Sequence, residues 1–522
     1  MSTFETTTVA AAPGRRMSHG DQLARNARKV PDRLAFEYNG RFLNYRELDA
    51  RTNRLARGLQ TLGVERGDRV AVLMLNRLEL IETYFVALKL GAIVVPVNFR
   101  LSVAEIVYVL DDSDATVLFA DHLLAPRAAQ ATGSRTLVVC GGDHEDDEQA
   151  IDYDTLLESD DDSLDIDVDE NEPAFIMYTS GTTGKPKGAV LTHMNLLMNT
   201  INVCLEQGVS GDGEVELSGL PLFHIGGLSG MLAYVFVGGT SILIDVLNFD
   251  PVKALETMSE RGVVAGYFVP TQWKAICEAA LAKDLDYSLE RIAWGASAAP
   301  PSVLQAMSDA FGDVPVFNVF GQTEMSSATC ILRGEDALRK NGSVGKPLMN
   351  VEVRLVDPDM NDVPVGEVGE IVYRGPTVMK EYWRNPDATA DAMRGGWFHS
   401  GDLCVMDDEG YIKVVDRTKD MVNSGGENIY CAEVEDAIDS HSKVSEVAVV
   451  AKPHPRWVET PVAVIVPSDP ADPPTLDEIS EHCKSLIASY KKPTEILVVE
   501  ALPRNAVGKV QKFKLRDQLA QP

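Results

Sequence analysis

The strongest constraint on this chain is a regular exchange, over residues 45–99, between helical periodicity and short apolar runs: YRELDARTNRLARGLQTLG, RVAVLML, ELIETYFVALKLGA and IVVPVNF. Helices that carry the chain from one short apolar strand to the next form βαβ units, and such units build a mostly parallel sheet covered by helices. The pattern resumes in AFIM, SILIDV, VVAGYFV, RIAWG and VPVFNVFG, each run ending near Gly, Pro, Ser or Thr. Ligands of open α/β sheets sit where strands end and loops begin, so these strand ends are where a site is expected. At 522 residues the chain is longer than one hydrophobic core sustains, and two or three domains are expected.

Pattern shifts mark the divisions. Residues 158–172 (ESDDDSLDIDVDENE) have the composition of a solvated surface connection. From residue 350 the runs become shorter and strand-rich (VEVRLVD, GEIVYRG, YIKVVDR), which predicts a small β subdomain. After residue 417 the chain reads as a glycine-bearing loop (KDMVNSGGENIY), a helix (EVEDAIDSH), two strands (VSEVAVVAKP, TPVAVIVP) and another helix (TLDEISEHCKSLIASY). That is a self-contained unit of about 100 residues. The expected fold class is α/β: residues 1–418 form a large N-terminal domain of α/β sheets plus the small β subdomain, and residues 419–522 form a small α+β C-terminal domain.

A formal net charge of -30 disfavours nucleic acid or an anionic membrane as a main partner, because both would repel the protein. An anionic substrate would need a local basic site. The seven cysteines are scattered and include no CxxC pair, which fits a reducing cytoplasm better than a zinc site or disulfide framework. Arg15-Arg16 is followed by polar residues rather than the apolar core of an export signal. No stretch reaches the ~20 apolar residues of a spanning helix. The expected location is therefore cytoplasmic.

The most informative segment is YTSGTTGKPKG at 178–188, which follows an apolar strand and packs three glycines, four aliphatic hydroxyls and two lysines into one loop. Glycines let backbone approach an anion closely, hydroxyls and amides donate hydrogen bonds, and lysines add positive charge. This composition suits a phosphate. The GxxxxGK[ST] spacing of a Walker loop is absent, and Pro186 and Gly188 block an immediately following helix. His193, beside a helix start at Thr192, reads as structural.

With this loop the sequence resembles the adenylate-forming superfamily of acyl-CoA synthetases, firefly luciferase and peptide-synthetase adenylation domains, and is most similar to bacterial fatty acyl-CoA ligases. The resemblance extends over nearly the whole chain because further motifs follow in the family's order. It implies that Thr179, Ser180, Gly181, Thr182, Thr183, Gly184 and Lys185 cradle ATP, with Lys187 offsetting phosphate charge. Gly295-Ala296-Ser297 implies a wall of small residues for adenine and acyl chain. In the Gly321-Gln322-Thr323-Glu324 motif, Thr323 would bond the α-phosphate and Glu324 would be the Mg2+ ligand, a hard cation that takes few carboxylates. Asp402 would accept hydrogen bonds from the ribose diol, with Arg417 beside it. Lys419 matches the family's hinge, about which a mobile C-terminal domain turns, and Gly425 matches its contact with the pantetheine arm of coenzyme A. Lys509, in PRNAVGK, matches the lysine that stabilises the adenylation transition state.

The resemblance thus implies an ATP- and Mg2+-dependent ligase that converts a small-molecule carboxylic acid to acyl-AMP with release of pyrophosphate, then transfers the acyl group to coenzyme A. The segment Pro221–Gly227 resembles the border of the acyl pocket, with His224 near the carboxylate and Gly226 and Gly227 beside it; Trp273 is placed at the same pocket. No aspartate stands near this segment to pair a substrate ammonium. Apolar residues over 228–237 favour an apolar acid, fatty before aryl. The alternatives are a fatty acyl-AMP ligase loading an acyl carrier protein, an aryl-CoA ligase, a luciferase-like oxidase and a non-catalytic ligand sensor. The first of these is disfavoured because no insertion follows the Thr-Glu motif. Neither nucleic acid nor a transmembrane segment enters this reading. It is compatible with a homodimer and with weak membrane association through a lipid substrate.

Overall fold

The protein is described by a computed structural model covering residues 17–142, 150–164, 166–179, 186–211, 213–283, 285–295, 299–337, 339–418, 420–424, 427–484, 486–504 and 510–520. It divides into two compact units, one of residues 1–352 and 374–393, the other of residues 353–373 and 394–522.

The first unit holds two large mixed sheets. In the eight-stranded sheet, Ile93–Pro96, Arg69–Leu73, Ala115–Asp121 and Thr136–Cys140 run parallel, joined by helices including Leu78–Leu90 and Val103–Ser113, as the exchange of periodicities predicts. Pro173–Thr179 joins them in parallel and then pairs antiparallel with Lys187–Thr192. In the nine-stranded sheet, Thr240–Leu243, Val215–Ser218, Ala265–Phe268, Arg291–Gly295 and Val316–Gln322 are parallel neighbours, and Val316–Gln322 turns back antiparallel into Ser327–Leu332. Phe268, Trp273, Ile276, Ile292 and Trp294 form one of its cores. Thr192 caps the helix His193–Gln207 through a reciprocal capping box with Asn195, each satisfying a terminal amide of the other.

The second unit contains a four-stranded sheet in which Gly369–Arg374, Phe398–Met406 and Ile412–Arg417 pair antiparallel; these are the short strands expected after residue 350, grouped here with the C-terminal residues rather than with residues 1–352. It also contains a five-stranded sheet built on the long hairpin of Val444–His454 and Val458–Pro467, packed against the helix Cys431–Asp439. Two sequence expectations need correction here. The segment read as a loop contains two strands, Val422–Ser424 and Glu427–Ile429, paired antiparallel with Val422 opposite Ile429. Two short runs flanking Gly-Gly are a hairpin signal, which the glycines' association with loops obscured. The helix read over 475–490 is confined to Leu476–Cys483. Among the described residues no helix is long and apolar enough to cross a membrane.

Candidate active site

Antiparallel pairing sets Thr179 opposite Lys187, so the strands deliver both ends of the candidate phosphate loop to one place. Ser180, Gly181, Thr182, Thr183, Gly184 and Lys185 lie outside the described residues. The flanks are firmly built. Tyr178 donates to Asp112 at 2.7 Å and Tyr108 to the Pro186 carbonyl at 3.0 Å. At Gly188 a Cβ would come within 2.6 Å of Ile176 and 3.2 Å of Tyr178, so the packing admits only glycine.

Glu324 is the point on which these flanks converge. It sits in the short 3-10 turn Thr323–Met325 and is buried, with its Oε1 accepting from Thr179 at 3.3 Å and from the Tyr382 hydroxyl at 2.9 Å. Oε2 has no hydrogen-bond partner among the described residues, so one oxygen is held and one is open, an arrangement that fits a hard divalent cation. Burial first, then the Glu324 charge, push the Tyr382 phenol well up, so it stays a donor. The Lys187 ammonium lies 5.1 Å from the Tyr382 ring centroid, a cation–π contact that holds the charge beside the same carboxylate. Gln322 leads into the turn, and its buried side-chain nitrogen has no partner among the described residues. At Gly321 any Cβ would collide with the Ser327 carbonyl, so the hairpin leading to Glu324 requires glycine.

A second cluster surrounds His224, the residue that precedes the helix Ile225–Val237. Burial lowers its pKa to about 4, with Arg100 adding to the effect, so the imidazole is neutral at physiological pH. Its Nε2 is buried without a partner among the described residues. Gly227 packs on backbone, where a Cβ would come within 2.5 Å of the Pro221 carbonyl, but Gly226 faces space, with nothing nearer its Cβ position than 3.7 Å. The Tyr267 hydroxyl lies 3.8 Å from that position and 2.9 Å from the corresponding point at Gly295. Gly226 and Gly295 therefore flank one phenol. Ala296 and Ser297 lie outside the described residues.

Trp273 is not part of this cluster. It is fully buried, donates its indole N–H to the Ala293 carbonyl at 2.9 Å and meets Phe268 edge-on. Strand alternation is the reason: Gly266 and Phe268 meet Trp273 on one face of the sheet, whereas Tyr267 faces Gly226 and Gly295 on the other.

In the second unit, register places Asp402 opposite Arg417, and Arg417 Nε donates to Asp402 Oδ1 at 2.7 Å. Asp402 is buried, and its amide donates to Ser400 Oγ at 3.0 Å. Gly401 between them adopts φ 72° and donates its amide to Glu370 at 2.9 Å, a conformation that favours glycine. The neighbouring Asp416 is raised by burial and faces Lys512, which pairs with Glu435 at 2.8 Å. Lys419, Gly425 and Lys509 lie outside the described residues, although Arg504 and Val510 form the bridge that brackets the Lys509 segment.

The family model for the AMP-binding enzyme matches residues 23–383, and that for the AMP-binding enzyme C-terminal domain matches residues 433–509. The chain belongs to the AMP-binding enzyme family. It is 38% identical to a feruloyl-CoA synthase of Amycolatopsis, over 95% of this chain and 98% of that protein. Among solved structures it resembles the o-succinylbenzoate CoA synthetase of Bacillus subtilis bound to its acyl-adenylate intermediate, with TM-score 0.84, 32% identity, and coverage of 96% of this chain and 98% of that one. It also resembles a fatty acyl CoA synthetase of Mycobacterium tuberculosis, with TM-score 0.77, 32% identity and the same coverages. The fold expected from sequence, a large α/β N-terminal domain and a small C-terminal domain, is that of these relatives.

In this AMP-binding enzyme the structure brings Thr179, Lys187, Gln322, Thr323 and Glu324 together, and gathers Gly226 and Gly295 around one tyrosine. Sequence reading missed Tyr382 and Tyr267. Tyr382 arrives through a two-residue strand, Glu381–Tyr382, that pairs with Lys187–Thr192 and leaves no periodic trace. Tyr267 lies within an apolar run where its face could not be read.

Proposed function

We propose that this AMP-binding enzyme is an ATP-dependent aryl-CoA ligase, which activates an aromatic carboxylic acid as its acyl-adenylate and transfers the acyl group to coenzyme A. The observation that carries the adenylation step is the convergence of both flanks of the phosphate loop on one half-bonded carboxylate, Glu324. The feruloyl and o-succinylbenzoate relatives, and the flat Tyr267 wall between Gly226 and Gly295, support an aromatic acid over the fatty acid expected from sequence. The Mycobacterium relative keeps fatty acids as the second reading.

In this reading the acid's carboxylate oxygen attacks the α-phosphorus of ATP and pyrophosphate leaves; the thiolate sulfur of coenzyme A then attacks the acyl carbon and AMP leaves. Bound at Glu324, Mg2+ would neutralise phosphate charge. Lys187 holds a cation beside the same phosphates, and Thr179, Gln322 and Thr323 offer hydrogen-bonding groups. His224, neutral, is a hydrogen-bonding partner for the acid, and Asp402 with Arg417 takes the ribose. Lys185 and Lys509 add positive charge during adenylation. The division into residues 1–418 and 419–522, with Lys419 as hinge, would let Lys509 act first and Gly425 line the thiol path second.

The test offers purified protein ATP, Mg2+, coenzyme A and a panel of aryl and fatty acids. AMP, pyrophosphate and aryl-CoA are expected. ADP in place of AMP would overturn the chemistry. A kcat/KM at least tenfold higher for fatty acids would replace the aromatic substrate, and preferential acylation of a carrier protein would replace coenzyme A.

A further inference from the structure

One helical turn beyond Gly226, the same helix presents Gly230, and there the pocket wall changes character. A Cβ at Gly230 would stand 3.2 Å from the Tyr267 ring and 3.9 Å from Glu216 Oε2. Tyr267 therefore runs as a flat wall from Gly226 and Gly295 at its hydroxyl end to Gly230 at its ring edge, with a carboxyl group beyond. A cavity at that end is lined by Glu216, Ser229, Gly230, Tyr234, Tyr267 and Arg291. Gly226 to Gly230 is about 6 Å along the helix, comparable to the length of a phenol ring.

Glu216 is an unusual residue to find there. It lies in the middle of the strand Val215–Ser218, whose other interior side chain, Leu217, belongs to the apolar core, and it is 1% exposed. Ser241 donates to its Oε1, while Oε2 has no hydrogen-bond partner among the described residues. The nearest cation does not serve it directly, because Arg291 pairs with Glu214. Burial raises the Glu216 pKa to about 7, the mark of a carboxyl group short of partners. A buried polar oxygen facing a cavity costs free energy unless something hydrogen-bonds to it. An apolar chain terminus would leave that oxygen unpaired.

Resting on the aryl-CoA ligase reading above, we infer that Glu216 is a specificity-determining residue that accepts a hydrogen bond from a hydroxyl on the ring edge opposite the carboxyl-bearing arm, so that the enzyme selects phenolic acids. Tyr267 supplies the face against which the ring lies, and Gly226 leaves it room at the hydroxyl end of that face. The Ser241 contact fixes the carboxyl group so that Oε2 is the oxygen presented to the pocket.

The test compares 4-hydroxycinnamate with 4-methylcinnamate, which has nearly the same shape but no donor, by kcat/KM for CoA-thioester formation. Wild-type enzyme is expected to favour the hydroxylated acid by at least about tenfold, since a site built to bond a hydroxyl discriminates strongly against its absence. Glu216→Met should lower that ratio about tenfold or more through the hydroxylated acid, with the methylated acid kept within about threefold, and Glu216→Gln should restore most of the preference. A wild-type ratio near one overturns the inference without any variant, and so does a ratio that survives Glu216→Met. Equal efficiency on both acids, or thioester only from aryl acids that lack a ring hydroxyl, overturns the inference and leaves the aryl-CoA ligase reading standing, whereas no thioester from any aryl acid overturns both.

Discussion

Glu324 is held by one carboxylate oxygen and open at the other, and its two hydrogen bonds have separable consequences. Tyr382→Phe removes a 2.9 Å bond to a buried carboxylate but leaves its charge. A hydrogen bond to a charged group contributes about 1.5–3 kcal/mol, so pyrophosphate release should fall about 10- to 100-fold in kcat. Glu324→Gln keeps the shape and removes the charge, and the loss should exceed that of Tyr382→Phe, by about 10²- to 10³-fold against wild type, with circular dichroism unchanged. Titrating magnesium separates the two: Glu324→Gln should need more metal for half-maximal rate, and Tyr382→Phe should not. The Asp402–Arg417 pair belongs to a different step of recognition. Arg417→Ala leaves a buried carboxylate without its 2.7 Å partner, and KM for ATP should rise about tenfold or more in steady-state assays.

At the scale of elements, the glycines divide into those that backbone requires and those that substrate requires. Gly321→Ala would drive a methyl into the Ser327 carbonyl across the Val316–Gln322 and Ser327–Leu332 hairpin, and backbone cannot retreat as a side chain can. The variant should be recovered poorly or melt several degrees below wild type by calorimetry. Gly226→Ala meets only ordinary contacts at 3.7 and 3.8 Å; its melting temperature should stay within about two degrees, while KM for an aromatic acid rises. The same division explains what the sequence made legible. Periodicity alone places the strands ending at Thr179 and Gly295, because a parallel strand with a buried centre leaves a continuous apolar run. It cannot assign faces within such a run, so the sequence alone neither separates Trp273 from the pocket nor points Tyr267 into it. Nor could it reveal Tyr382 or the Val422–Ser424 hairpin, whose strands of two or three residues are fixed by pairing partners distant in sequence or across a glycine pair. Glu216 carries no signal in the sequence, because one acidic residue inside a four-residue strand looks like ordinary alternation until its neighbours are known.

Across the whole molecule, an excess of acidic groups coexists with imidazoles that folding keeps uncharged. His19 and His193 are buried, neither ring has a hydrogen-bond partner among the described residues, and burial holds their pKa values at about 3 and about 4. In the unfolded chain each returns to about 6.5. The unfolded state therefore binds protons that the folded state refuses as pH falls below 6.5, and stability is lost at about 1.4 kcal/mol per pH unit per group until the folded pKa is reached. Buried carboxyl groups whose pKa values are raised, Glu216 and Glu435 among them, act in the opposite sense, gaining stability on acidification. The two contributions overlap in any single pH profile and separate only by difference. His19→Leu removes one buried imidazole, which lies near His193, without adding a charge, so its stability relative to wild type should improve by about 2 kcal/mol between pH 7 and pH 5. Urea unfolding followed by fluorescence of Trp273 and Trp294, both buried in the same unit, reads that difference directly. A gap between variant and wild type that stays constant from pH 7 to pH 5 would mean that His19 takes up its proton in the folded protein as readily as in the unfolded chain, against the effect of its burial and of His193.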